Sequence, residues 1–324
     1  MSAANLQRGL SLVELLVSLT IGLILIGGAL TVYINGRATY TLNESIARMQ
    51  ENAAFAIKFI EDDVRLAGLW GTHTELAAVS GRAGNSPVST TPANDCNADW
   101  SIRLTDYVEG SNNAAPADWT CLGDVLAQTD VLAIRHVDPN PVDTADLQTG
   151  RLYVRSSLQP RGQVFLGDDE PAGFSADARN YPLEARAYYV TPTSVASDSD
   201  NRWTVPALRR IDLVSGGAAP ILTDQEIVTG VEQFQVQFGI RAQNAPIGGA
   251  AAYVNPDSVL LDPAAGNEIV SVRVWVLVRA ERPELDYEDA ASYTLGDFVY
   301  NVPEDVRDHR RLLVTRTFDL RNKL

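Results

Sequence analysis

Glu14 is the only charged residue in the 25-residue run from Leu10 to Ile34, which is otherwise almost wholly apolar. Placing a carboxylate at bilayer depth costs roughly 2.5–3.5 kcal/mol, so an acid kept there needs a cationic partner or a task. The remaining reactive types are sparse. His73, His136 and His309 are the only histidines, and none has a ligand or nucleophile at short spacing. The acidic groups Asp168-Asp169-Glu170, Asp198-Ser199-Asp200 and Asp286-Tyr287-Glu288-Asp289 supply the oxygens that hard cations take. None follows the EF-hand spacing; Asp138-Pro139-Asn140 begins it, and Val142 and Asp143 break it. They read as solvated loop charge. Cys96 and Cys121 are the only cysteines, and two thiols cannot complete a four-ligand structural zinc site. No GxSxG, Walker A, GxGxxG or HExxH motif occurs. The expectation is a chain without catalytic residues, resident metal or cofactor.

The element that carries Glu14 is a helix. A span needs about 20 apolar residues, and this run exceeds that. A cleaved secretory signal would have a shorter core of roughly 7–15 residues. Arg8 and the initial amine precede the run, which favours a cytoplasmic N-terminus and an exported bulk. Beyond it, Leu42, Ile46, Met49, Ala53, Ile57, Ile60, Val64 and Ala67 recur at spacings of three and four, a single helical stripe. Glu44–Arg48 and Glu61–Arg65 stand at i,i+4 as supporting pairs. No proline falls between Leu10 and Gly68, and Gly68 and Gly71 supply a stop. One continuous helix over 10–68 follows, membrane-spanning in its first half and amphipathic in its second. The alternative is a signal anchor followed by a stalk.

The motif Gly9-Leu10-Ser11-Leu12-Val13-Glu14-Leu15 resembles the class III signal of type IV prepilins and pseudopilins. Asn43 to Ala53 resembles the second half of pilin helices. Ala54 to Ile57 and Asp63 to Gly68 are similar to the minor pilin family PilW, and Val272-Arg273-Val274 with Arg310-Arg311 through Arg321-Asn322 resembles that family and the related type II secretion pseudopilin J. The resemblance implies cleavage by prepilin peptidase between Gly9 and Leu10 and methylation of the new Leu10 amine. Most members carry Phe at that first mature position; here it is Leu. It also implies that Glu14, the fifth mature residue, pairs with the terminal amine of a neighbouring subunit. Such an amine, with a reference pKa of roughly 7.7–8.0, is largely cationic at neutral pH.

The implied domains are a leader at 1–9, a transmembrane or filament-core helix at 10–34, an amphipathic half at 35–68 and a periplasmic β-rich head at 69–324. The implied partners are prepilin peptidase, other minor pilins, the major pilin, a large tip adhesin and the inner membrane. The implied location is the inner membrane in a single pass, then the pilus. A pseudopilin J and a membrane-anchored binding domain that never polymerises are the competing readings.

The head is expected to be α+β and pilin-like, an antiparallel sheet packed on the outer half of the helix. Phe234 to Ile240 alternates apolar with non-apolar residues. In Ile269 to Val278 the valines at 270, 272, 274, 276 and 278 face one way, with Ser271, Arg273, Trp275, Leu277 and Arg279 on the other. Leu312, Val314, Phe318 and Leu320 form a third set, interrupted by Arg316. Segments 131–134, 152–154, 187–190 and 208–213 are shorter candidates. Residues 72–128 read as irregular, and loops at 80–128, 138–150, 167–182 and 192–201 are the natural partner surfaces. Export makes a Cys96–Cys121 disulfide the preferred state over two free thiols, worth roughly 3 kcal/mol. With 26 Lys+Arg against 41 Asp+Glu the net charge is −15, which argues against binding nucleic acid through a broad basic face.

Overall fold

The computed structural model describes residues 11–324, apart from 73–75, 86–89, 97–98, 114–118, 160, 196, 198–203, 247, 285 and 324. It divides into two compact units, Met1–Arg48 and Met49–Leu324. Helix α1 runs Leu12–Leu66, 55 residues without a break, as the absence of proline and the long apolar run require. In the first unit its side chains are solvent-exposed almost throughout, including Ile24, Val32 and Tyr33. In the second unit the expected stripe is buried: Met49, Ala53, Ile57, Ile60, Val64 and Ala67. The pair Arg48–Glu44 forms at 2.9 Å, and Arg65 meets Glu61. Gly68, with φ 74°, takes the left-handed conformation that ends a helix.

The head is built from short and long strands in chain order. Val79–Ser80 (β1) and Val108–Ser111 (β2) lie in the largely irregular stretch that precedes Val131–Val137 (β3). Leu152–Ser157 (β4), Arg161–Leu166 (β5) and Arg179–Thr191 (β6) follow, then Ala207–Ser215 (β7) and Pro220–Thr229 (β8). The last group is Val231–Ala242 (β9), Ala252–Val254 (β10), Asn267–Arg279 (β11), Ser292–Leu295 (β12), Phe298–Asn301 (β13) and Arg311–Asp319 (β14).

These strands divide into an eight-stranded sheet, β1-β5-β4-β6-β3-β2 with β7 on β6 and β8 on β7, a four-stranded sheet β10-β9-β11-β14, and the hairpin β12-β13. All pairings among them are antiparallel except β1 with β5. The α+β expectation therefore holds, with the head's strands shared between two sheets and a hairpin.

The seven expected strands are present, most of them longer than the alternation indicated. Strands β5, β8, the hairpin and the short β1, β2 and β10 were not expected. The expected loop at 167–182 ends sooner, because β6 begins at Arg179. Arg179-Asn180-Tyr181-Pro182 has poor strand propensity, and pairing with β4 decides its state.

Burial explains why alternation was a partial guide. Every residue of β3 is buried, because both faces of the large sheet are covered at this central strand. Val131, Ala133 and Val137 pack with Trp100, Trp119 and Cys96 in one core. Leu132, Ile134 and His136 alternate with them and face the side from which Tyr188 reaches α1. In the small sheet the valines 270 to 278 are buried, as the alternation predicts. The opposite face is covered too: Trp275 and Leu277 pack with Leu295, Tyr293 and Tyr300 of the hairpin.

Candidate assembly surface

At its N-terminus α1 is capped by Ser11, whose Oγ accepts from the Glu14 backbone N–H at 3.2 Å. That side-chain bond satisfies one of the four donors a helix start leaves open. The Glu14 carboxylate is exposed and has no partner among the described residues. The serine and threonine hydroxyls of the apolar run are bonded within the helix. Ser18 donates to Glu14 O at 2.7 Å, Thr20 to Leu16 O at 2.9 Å and Thr31 to Gly27 O at 2.9 Å. The segment can therefore enter hydrocarbon with its serine and threonine hydroxyls already paired, leaving Glu14 as its one charged side chain. Open space surrounds Gly22, Gly27 and Gly28, so no packing within the unit requires a missing side chain there. Gly9 and Leu10 lie outside the described residues.

In the head, the end of α1 is held by a buried polar cluster. Asp63 is nearly inaccessible, receives Arg186 Nη1 and the Tyr188 hydroxyl, and has His136 Nε2 at 3.5 Å. Arg186 continues to Asp212 at 2.8 Å and Glu184 at 3.1 Å. Burial alone would push the Asp63 carboxyl up, but His136, Arg186 and Tyr188 reverse that and hold it below the usual carboxylate range. Tyr188 Oη also lies 3.1 Å from Phe59 O, and Asn52 Nδ2 donates to Thr229 O at 3.0 Å. Asn322, near the end of the chain, donates from Nδ2 to the carbonyls of Leu66 and Ala67, both at 3.1 Å. These are among the last carbonyls of the helix, which have no intrahelical donor.

Cys96 and Cys121 are joined as a disulfide, with Cα atoms 4.6 Å apart. It ties the irregular stretch that covers the large sheet. Arg135 does the same from beneath: fully buried, it donates from Nε to Trp100 O at 2.6 Å and from Nη2 to Glu109 at 2.5 Å. A second buried cluster joins Arg311 to Glu232 through two bonds of 2.6 and 3.0 Å, with Arg279 at 3.3 Å from the same carboxylate.

Several of the remaining candidates have structural partners. His136 packs beside Asp63, and buried His309 meets Asp308 at 2.7 Å; His73 lies outside the described residues. Glu170 accepts from Thr144 at 2.9 Å and Asn180 at 2.8 Å and pairs with Arg155. Asp289 accepts from Tyr293 at 2.8 Å and meets Arg311 at 3.4 Å. Asp198 to Asp200 lie outside the described residues. Sequence reasoning missed the Asp63 and Glu232 clusters, whose partners stand far apart in the chain. The one available signal was charge inside apolar patterns: Asp63 beside Val64, and Arg186 and Arg279 within strands.

Comparison with known families bears on both ends of the chain. Residues 187–322 match the family described as type IV pilus-assembly protein W, and residues 4–30 match the prokaryotic N-terminal methylation motif. The chain matches a PilW-family pilin with a prepilin-type signal. No curated protein and no solved structure matches it. The PilW match takes in β7 to β14, the last five residues of β6, and Asn322 on the helix end. The methylation motif takes in Ser11, Glu14 and the glycines at 22, 27 and 28. Together they support a structural subunit of a type IV pilus that interacts with other pilus components.

Proposed function

We propose that this PilW-family chain is a minor pilin that helps prime or cap a type IV pilus. Prepilin peptidase cuts between Gly9 and Leu10, removing a leader of 1–9, and the Leu10 amine is methylated. The segment 10–34 first anchors the precursor in the inner membrane with its N-terminus cytoplasmic and the head periplasmic. It then becomes the packing core among other minor pilins and the major pilin. The head meets neighbouring subunits and a large tip adhesin, and the subunit ends at the pilus tip.

The observation that carries the reading is the placement of Glu14. It is the one charged side chain in an apolar segment whose serine and threonine hydroxyls are internally bonded, five residues after Gly9. An unpaired carboxylate in hydrocarbon is costly, and a neighbour's terminal amine removes that cost only when two subunits stand in register. The open surroundings of Gly22, Gly27 and Gly28 support close approach of partner helices.

The test is the mass of the N-terminal peptide of the protein purified from membranes. A chain beginning at methylated Leu10 is the expected result. Retention of Met1 through Gly9 would overturn the proposal and leave a membrane anchor that does not polymerise.

A further inference from the structure

Strand β14 ends the small sheet, and its outer edge pairs with no strand among the described residues. The backbone fixes which groups it presents. Arg310 O accepts from Ala280 N at 2.8 Å, and Leu320 N donates to Val270 O at 2.9 Å. Between these points β11 and β14 keep unbroken antiparallel register, from Ser271 opposite Asp319 to Arg279 opposite Arg311. The alternation of an antiparallel ladder then gives the even-numbered residues of β14 to β11. It turns the N–H and C=O groups of Leu313, Thr315 and Thr317 outward.

Natural proteins blunt such edges with proline, lysine, a bulge or a very short strand. β14 has nine residues, no proline, no lysine and no register shift. Its one guard is Arg316, whose Nη1 donates to the outward carbonyl of Thr315 at 3.0 Å.

Beside this edge runs a groove of about 510 Å³ between α1 and β14, lined chiefly by Ala53, Ala54, Ile57, Leu312 and Val314. Three charged groups border it. Glu61 is paired with Arg65 and Lys58 with Asp62. Arg316, the residue that interrupts the apolar face of β14, has only a carbonyl as partner among the described residues. An open backbone row, an adjoining apolar groove and one cation without a carboxylate describe a strand-addition site.

We propose that β14 receives an extended strand from a different pilus subunit. The strand adds to the sheet edge, sets alternate apolar side chains in the groove and places a carboxylate on Arg316. A helix offers no free backbone row to Leu313, Thr315 and Thr317. A second copy of β14 is disfavoured, because antiparallel pairing centred on Thr315 spends the strand's only acid, Asp319, on Arg311 and sets Val314 opposite Arg316, which gains no carboxylate.

The inference rests on the reading of this chain as a pilus subunit, and its test is separate from the N-terminal mass measurement. A photo-crosslinking residue is placed at Thr315 of the full-length chain in cells that make the pilus, and linked peptides are identified by mass spectrometry. The expected product joins Thr315 to an alternating apolar segment containing Asp or Glu in another pilin-type subunit. Arg316→Glu, at an exposed position, is expected to reduce that product at least tenfold. Thr317→Pro removes one outward donor and spares the β11 ladder. It is expected to give the same loss with the melting temperature of the isolated chain kept within a few degrees. A link to β14 of a second copy, a link to a partner's helix, no link, or a link undiminished in Arg316→Glu would each overturn the proposal.

Discussion

Two acids in this chain answer to opposite physics. Glu14 stands exposed on a helix start capped by Ser11, with no partner in its own chain among the described residues. Glu14→Ala is expected to leave the mature mass consistent with cleavage before Leu10 while reducing co-purification with other pilin subunits at least tenfold. Normal co-purification would refute pairing by this carboxylate. Asp130 is fully buried, accepting from Asn113 N at 2.9 Å and Val236 N at 2.7 Å. Desolvation, aided by the charges of Asp297 and Asp257, outweighs those bonds and pushes its carboxyl up to about 7. Between its unfolded value of roughly 3.9 and this raised value, the folded state holds a proton that the unfolded state has lost. Stability therefore falls as pH rises through that window, and the loss is complete above about 7. Melting curves should show Asp130→Asn losing much of the decline between pH 5 and pH 8. A wild-type-like slope in that variant would place the titration elsewhere.

At the scale of elements, the helix is where sequence and structure agree most closely. Length, apolar content and the absence of proline act locally, so Leu12–Leu66 was legible before any packing was known. Its attachment was not. Asp63 looks like one more polar residue on a helix, yet it is buried against Arg186, 123 positions away. Removing one partner of a buried pair typically costs about 3–5 kcal/mol. Asp63→Asn should cost about 3 kcal/mol, at the low end because Arg186 keeps Asp212 and Glu184. Denaturant titration of the full chain reads this, and a change under about 0.5 kcal/mol would show that the cluster carries little of the attachment. The strands split along the same line. β9 and β11 announce themselves by alternation, whereas β8 and the start of β6 are polar segments that become strands by pairing with β7 and β4.

For the molecule as a whole, the question is what organises the irregular stretch before β3. It has few periodic residues of its own, and it is held by the Cys96–Cys121 bond, by buried Trp100 and Trp119, and by Arg135. Closing a loop over 25 positions is worth roughly 3 kcal/mol. The paired change Cys96→Ser with Cys121→Ser should lower the melting temperature by roughly 6–12 °C for a head of this size. The N-terminal mass is expected to stay the same, since the disulfide lies in the unit Met49–Leu324 and the proposed cleavage site in Met1–Arg48.

What the sequence determined by itself is what short-range chemistry dictates. It set the long apolar helix, the Gly9–Leu10 and Glu14 spacing, the two cysteines and the strongest alternating strands. The residues responsible sit within a few positions of each other, so their pattern survives without a fold. Tertiary structure alone decided which buried charges meet, that β3 and β11 are covered on both faces, that Asn322 closes the end of α1, and that β14 keeps an open edge beside a groove. Each of those depends on residues brought together across tens to hundreds of positions, where the favourable partner is set by packing and desolvation rather than by spacing along the chain.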